Sequence, residues 1–375
     1  MVSNNAKILN FGINIVLFLT LSNSYLSNLV KDYVLISHIF SFVAIVYFGY
    51  HIYKCLIFKK NNAYILYFVL MVFLFLVYAF FTFILHPYNF SYLSVVKLSY
   101  ICVLIIALML KVRLKLNVVA FMLWVILINC LSIIYLFMPD VENYLSYTNI
   151  LPVTIIGGFL LSHYIYDKSK FTSTFLFLTS IPPLYLLIIS PSRYSVLFTI
   201  VFLFFISFIL YKKLAVLFFS LLLFFIDIEY LISDLSWVQR VEYFLEHGSA
   251  LRLFLLDTYY SNLSEFLIHG YGLGATGDAL YGNPLEYPHN FILEFLSDFG
   301  LISLIVILPI IYFFIFISIK IIVDINKKNI LLVIFGILSI YYFILFFKSA
   351  SAYSIYPMLL FFLFYFSLPK SYIKS

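Results

Sequence analysis

The chain has 375 residues, 65% of them hydrophobic and 10% charged, with 33 tyrosines, 45 phenylalanines and a mean hydropathy of +1.11. No soluble surface covers that much apolar side chain with so little charge, so a soluble globular fold is excluded. The net charge of +6 acts through its placement along a membrane chain, and nothing in it suits a nucleic-acid partner.

The composition predicts an all-α polytopic membrane protein, because apolar stretches long enough to cross about 30 Å of hydrocarbon recur between short polar breaks. Twelve spans are expected, at about 8–26, 33–53, 63–85, 92–110, 117–138, 149–166, 171–189, 194–211, 214–226, 291–318, 330–347 and 355–368. The first follows a single Lys7 and has no small-residue cleavage signal behind it, so it is expected to stay as an uncleaved span. The expected organisation is therefore 1–226 carrying spans one to nine, 227–290 a large extracytoplasmic loop, and 291–375 carrying spans ten to twelve. With the N-terminus inside, sixteen of the 22 basic residues fall in cytoplasmic segments, which places both termini in the cytoplasm by the positive-inside rule. Cys55, Cys102 and Cys130 lie in or beside apolar runs, odd in number and without metal-ligand spacing, and read as small buried hydrophobes.

The loop from Asp227 to Asn290 is out of scale with the other connections, and long loops on economical scaffolds are where chemistry is usually carried. From Asp227 to Asp298 there are eleven acidic residues against Arg240 and Arg252, so those two arginines suit a local task better than a general polyanion surface. Ser190-Pro191-Ser192-Arg193 occupies the outer turn before span eight. An arginine at that position snorkels to the headgroups, caps the helix, or grips an anion.

Gly270-Tyr271-Gly272-Leu273-Gly274-Ala275-Thr276-Gly277 contains the spacing G-x-G-x-x-G, but no strand or βαβ context surrounds it, which excludes a dinucleotide site. The glycines read as a tight outer turn whose N–H groups are free to face an anion. Pro288 followed by an apolar run reads as the start of span ten, with His289 in its first turn. Glu294 and Asp298 are spaced i, i+4 and share one side of that helix. The remaining histidines form no i, i+4 pair, which disfavours a metal centre.

In order and sidedness these pieces resemble the O-antigen polymerase and ligase superfamily of bacterial inner-membrane glycan enzymes: Ser192-Arg193 opening a span, a large outer loop with Arg252, the glycine turn, then His289-Asn290, nine residues and Gly300. The resemblance implies a GT-C-like bundle in the bacterial inner membrane and a metal-independent transfer needing no cofactor. Its substrate would be an undecaprenyl-diphosphate-linked oligosaccharide in the membrane lipid, with a chain-length regulator protein as partner. It implies His289 as the base that accepts the proton of the attacking sugar hydroxyl, Arg193 and Arg252 as diphosphate ligands with Arg240 a third, and Ser192, Asn290 and Glu294 in substrate binding. A polymerase extending a lipid-linked repeat is the first expectation, a ligase transferring the chain to lipid A core the second, and a lipid-linked saccharide flippase the third.

Overall fold

The structure is a computed structural model, and it describes residues 2–22, 33–58, 63–85, 92–112, 114, 116–137, 150–189, 193–210, 250–283, 288–326, 330–349 and 351–368. Every regular element among them is helical, so the chain is a polytopic all-helical membrane protein. Six helical segments are long and apolar enough to cross a bilayer, and shorter apolar helices accompany them. Helices occupy the stretches read as spans, except that the ninth (214–226) lies outside the described residues, as do 227–249 and 284–287 of the expected loop.

One compact unit comprises residues 1–20, 35–117 and 250–375. Its helices are α1 (Val2–Leu21), α2 (Tyr33–Phe58), α3 (Ala63–Leu85) and α4 (Tyr92–Met109) from the first half of the chain. From the second half come α10 (Ala250–Ser261), α11 (Leu263–Phe266), α12 (Phe291–Phe299), α13 (Leu304–Asn326), α14 (Ile330–Ser349) and α15 (Tyr356–Ser367). The second unit, 21–34 and 118–249, holds α5 (Val118–Leu136), α6 (Leu151–Ile165), α7 (Lys170–Thr179), α8 (Ile181–Ile189) and α9 (Arg193–Leu210).

In the first unit α15 is the core. Met358 to Phe364 are all buried, and aromatic rings from α1 and α14 close on it: Phe18 lies 5.0 Å from Phe364, Phe335 5.6 Å from Phe364, and Tyr342 5.5 Å from Phe361. A helix apolar on every side and enclosed on every side needs no lipid face. The opposite case is α3, where Tyr67, Phe73, Leu74 and Phe81 are more than half exposed. An apolar face of that extent is stable only against hydrocarbon. Several hydroxyls within the helices are satisfied in place, as when Thr20 donates to the Leu17 carbonyl at 2.7 Å and Ser339 to Phe335 at 2.6 Å, a pairing that apolar surroundings favour.

Two expected spans are interrupted. Span seven becomes α7 and α8, parted at Ser180 ahead of Pro182 and Pro183. Span ten, read as one helix over 291–318, becomes the half-helix α12, a 3-10 turn over Gly300–Ser303, and α13. At nine residues α12 is about 13 Å long, well short of a bilayer.

Candidate functional site

The site is built around α12. Asn290 is its N-cap, with φ −147°, and the side-chain Oδ1 accepts hydrogen bonds from the backbone N–H of Ile292 (2.9 Å) and Leu293 (3.4 Å). The helix therefore starts at Phe291, so His289 lies just ahead of the cap and not in the first turn as expected. A capping asparagine requires extended backbone at its own position, which ends the helix there. His289 follows the buried Pro288 and has φ 52°, left-handed backbone that costs an L-residue about 1–2 kcal/mol. Among the described residues Lys111 is the other non-glycine with positive φ. Strain of this kind persists where the surroundings impose it, and it gathers at sites of function.

The C-terminal end of α12 is held by the glycine turn. The N–H of Tyr271 donates to the Ser297 carbonyl and that of Gly272 to Asp298, both at 2.8 Å, while Leu301 N–H donates back to Leu267 at 2.8 Å. These bonds take up carbonyls that a helix end leaves open. They require two backbones to touch. A Cβ at Gly270 (φ 72°) would sit 2.3 Å from the Asp298 carbonyl oxygen, and one at Gly300 (φ 62°) 2.4 Å from that of Ile268. Tyr78 of α3 donates to the His269 carbonyl, and Thr82 Oγ1 accepts from Leu273 N–H at 3.4 Å, anchoring the turn to a spanning helix.

Two carboxylates on one side of α12 fasten it to its surroundings. Asp298, fully buried, accepts from the N–H of Gly274 (2.9 Å) and Thr276 (3.2 Å) and from the hydroxyls of Thr276 and Tyr353. The glycine-turn N–H groups thus do face an anion, and it is the protein's own side chain. Glu294, 5% exposed, accepts from the Ser351 hydroxyl at 2.8 Å and from Ala352 N–H at 2.7 Å. Both contacts lie in the connection between α14 and α15. Tyr353 ties the two clusters together: its oxygen also accepts from Gly274 N–H at 3.0 Å, while its own N–H donates at 3.3 Å to the Ser351 hydroxyl that serves Glu294. Burial first, then the charges of Asp298 and Glu294, holds the Tyr353 phenol well above its ordinary range, so it stays protonated and donates. The Lys97 ammonium of α4 lies within electrostatic range of Glu294. Taking a carboxylate out of water costs several kcal/mol, and charge-assisted hydrogen bonds of about 1.5–3 kcal/mol each offset it.

The segment 250–283 closes on the same element. Tyr259 of α10 donates to the Leu293 carbonyl at 3.1 Å, Tyr281 donates to Leu255 at 3.0 Å, and the Phe266 ring lies 4.8 Å from Tyr259. Tyr271 donates to Glu265 at 3.0 Å; burial, then that neighbouring carboxylate, pushes its phenol up to about 12.

Of the residues singled out in the sequence, Asn290 caps α12, Glu294 lies in its first turn, and His289 immediately precedes the cap. Arg193 is the first residue of α9 and Arg252 belongs to α10, but their side chains lie outside the described residues, as do Ser192 and Arg240 altogether. Lys97, Ser351 and Tyr353 were not anticipated as site residues. Lys97 carried a signal, as a lone cation inside an apolar run. Ser351 and Tyr353 carried none in a chain this rich in tyrosine. Among the described residues no group of three or more His, Cys, Asp or Glu side chains is placed to hold a metal ion. Comparison with protein-family models, with curated proteins and with solved structures gives no match.

Proposed function

We propose that the protein is a surface-polysaccharide polymerase of twelve spans with both termini in the cytoplasm, transferring a polyprenyl-diphosphate-linked glycan onto a hydroxyl of a lipid-linked repeat unit at the outer face of a bacterial inner membrane. The observation that carries this reading is the placement of His289: an imidazole in left-handed backbone at the mouth of a half-helix that two buried carboxylates and a glycine turn hold rigid. In the reaction the acceptor oxygen attacks the anomeric carbon and its proton passes to the imidazole. The glycosidic C–O bond to the diphosphate breaks, and the leaving group departs with the electron pair. A base that is neutral near pH 7 suits this step. Arg193, Arg252 and Arg240 are the guanidinium groups assigned to the departing diphosphate, with Ser192, Asn290 and Glu294 assigned to substrate.

A ligase acting on lipid A core shares this chemistry and differs in its acceptor. A flippase is favoured by one observation, the grouping of Lys97, Glu294 and Asp298 in apolar helices, since such groups also mark transport paths. Purified protein in proteoliposomes, supplied with lipid-linked repeat units extracted from cells lacking the gene, is expected to build a ladder of glycans. His289→Ala is expected to lose about 10²–10⁴-fold in rate while remaining inserted. An undiminished ladder removes His289 from the mechanism, and transbilayer movement without a ladder makes the protein a flippase.

A further inference from the structure

The break in span seven gathers oxygens and few donors. It falls at Ser180, near the middle of the apolar stretch Lys170–Ile188, where α7 ends and α8 begins. Pro182 and Pro183 have no N–H to return to the carbonyls of Leu178 and Thr179, four residues earlier. The hydroxyls of Thr179 and Ser180 both donate to the Leu176 carbonyl, at 3.1 and 2.8 Å, so their oxygens have only lone pairs left to offer. With its proton committed there, Ser180 Oγ accepts from the Asn129 amide nitrogen of α5 at 3.2 Å, and this sets the orientation of the amide. Asn129 Oδ1, the other end of that amide, is buried and accepts no hydrogen bond among the described residues. On the α6 side Gly158 packs directly on the group, since a Cβ there would stand 2.1 Å from Ser180 Oγ and 3.5 Å from Asn129 Nδ2.

A buried carbonyl without a donor is costly, and in the middle of a span no bulk water relieves it. The C-terminal end of α7 adds the partial negative charge of the helix dipole, so the place favours a cation. Among the described residues no carboxylate is bonded to Asn129 or Ser180, and neutral oxygens alone do not compensate a divalent ion, which takes carboxylates. Carbonyls at unwound helix ends and half-helix C-termini do coordinate sodium in membrane proteins. We propose that Asn129 Oδ1, Ser180 Oγ and the Leu178 and Thr179 carbonyls form a sodium site inside the membrane span. All four residues belong to the second unit, and the site does not depend on the transferase reading.

The test uses the purified full-length protein in detergent, with sodium chloride, calcium chloride or choline chloride at equal ionic strength. Sodium is expected to raise Tm by about 2–4 °C over choline and over calcium, and radioactive sodium should be retained at one ion per chain. Asn129→Leu removes the carbonyl and should abolish both the Tm difference and the retention, with a Tm in choline chloride near wild type. Asn129→Asp places a carboxylate beside the ion and should lower the sodium concentration that half-saturates retention at least about tenfold. A wild-type Tm equal in sodium and choline, a wild-type protein stabilised by calcium in place of sodium, or retention that survives Asn129→Leu overturns the site. Should Asn129→Leu fail to insert, Asn129→Asp decides alone. Tighter sodium binding by that protein supports the site, and equal destabilisation in sodium and choline shows that the carbonyl meets only water.

Discussion

The two interrupted spans are repaired in different ways. At Ser180 one hydroxyl mends the break without any charged side chain: it donates to Leu176 at 2.8 Å and accepts from the Asn129 amide of α5 at 3.2 Å, beside Gly158 of α6. At Gly300 the repair draws in a glycine turn some thirty residues earlier, a connection some fifty residues later, two carboxylates and a phenol. A proline-directed kink needs only the first kind of repair. The second kind commits buried charge, and natural chains retain that kind of departure from local consistency at sites of function.

The largest effect that separates the two breaks is expected from their glycines. Gly300→Ala or Gly270→Ala drives a Cβ into backbone at 2.4 or 2.3 Å, where nothing yields easily, and each forces left-handed φ on alanine. A loss of about 3–5 kcal/mol is expected, read as a fall in Tm in detergent and as new protease sensitivity in the segment 250–283. Gly158→Ala clashes with the Ser180 hydroxyl at 2.1 Å, a side-chain atom, and otherwise meets Ser180 Cβ and Asn129 Nδ2 at 3.4 and 3.5 Å, while Gly282→Ala meets nothing despite its φ of 65°. About 1–2 kcal/mol is expected for each, so a Gly158 variant as damaged as the Gly300 variant would erase the contrast.

Next in size is the carboxylate cluster. Asp298→Ala strands the Thr276 N–H and the Tyr353 hydroxyl and is expected to lose about 2–4 kcal/mol, and Tyr353→Phe about 1–2 kcal/mol, by the same unfolding measurement. At the other break Ser180→Ala is expected to lose only about 0.5–1 kcal/mol. The smallest effect on stability belongs to Asn290→Ala, about 1 kcal/mol for a lost cap, but it frees the backbone that orients His289. Its polymerisation rate should therefore fall further than its stability, and equal losses in both would make the cap merely structural.

How much of this was legible in the sequence follows from the distances involved. Apolar runs and flanking polar breaks announced the helices, because burial in lipid is a property of composition. The shared side of Glu294 and Asp298 followed from i, i+4 spacing. The interruption at Gly300 was hidden because one apolar run continues through it, and an apolar run looks the same whether or not its backbone bonds are unbroken. The partners of the two carboxylates were hidden for a different reason. Gly274, Ser351 and Ala352 lie 24, 57 and 58 residues away from the side chains they serve, and two of the three donors are backbone N–H groups that every residue carries. The cap at Asn290 was within reach, since asparagine before an apolar helix is a start signal, but the preceding proline drew the expected start forward.

The central claim is that His289 is held in an unfavourable conformation because its imidazole is needed there. His289→Gly separates conformation from chemistry, because glycine adopts φ 52° without strain. The protein should become more stable by about 1 kcal/mol while its ladder formation falls at least about 100-fold. A His289→Gly protein that polymerises like wild type, or that unfolds more readily, would contradict the claim.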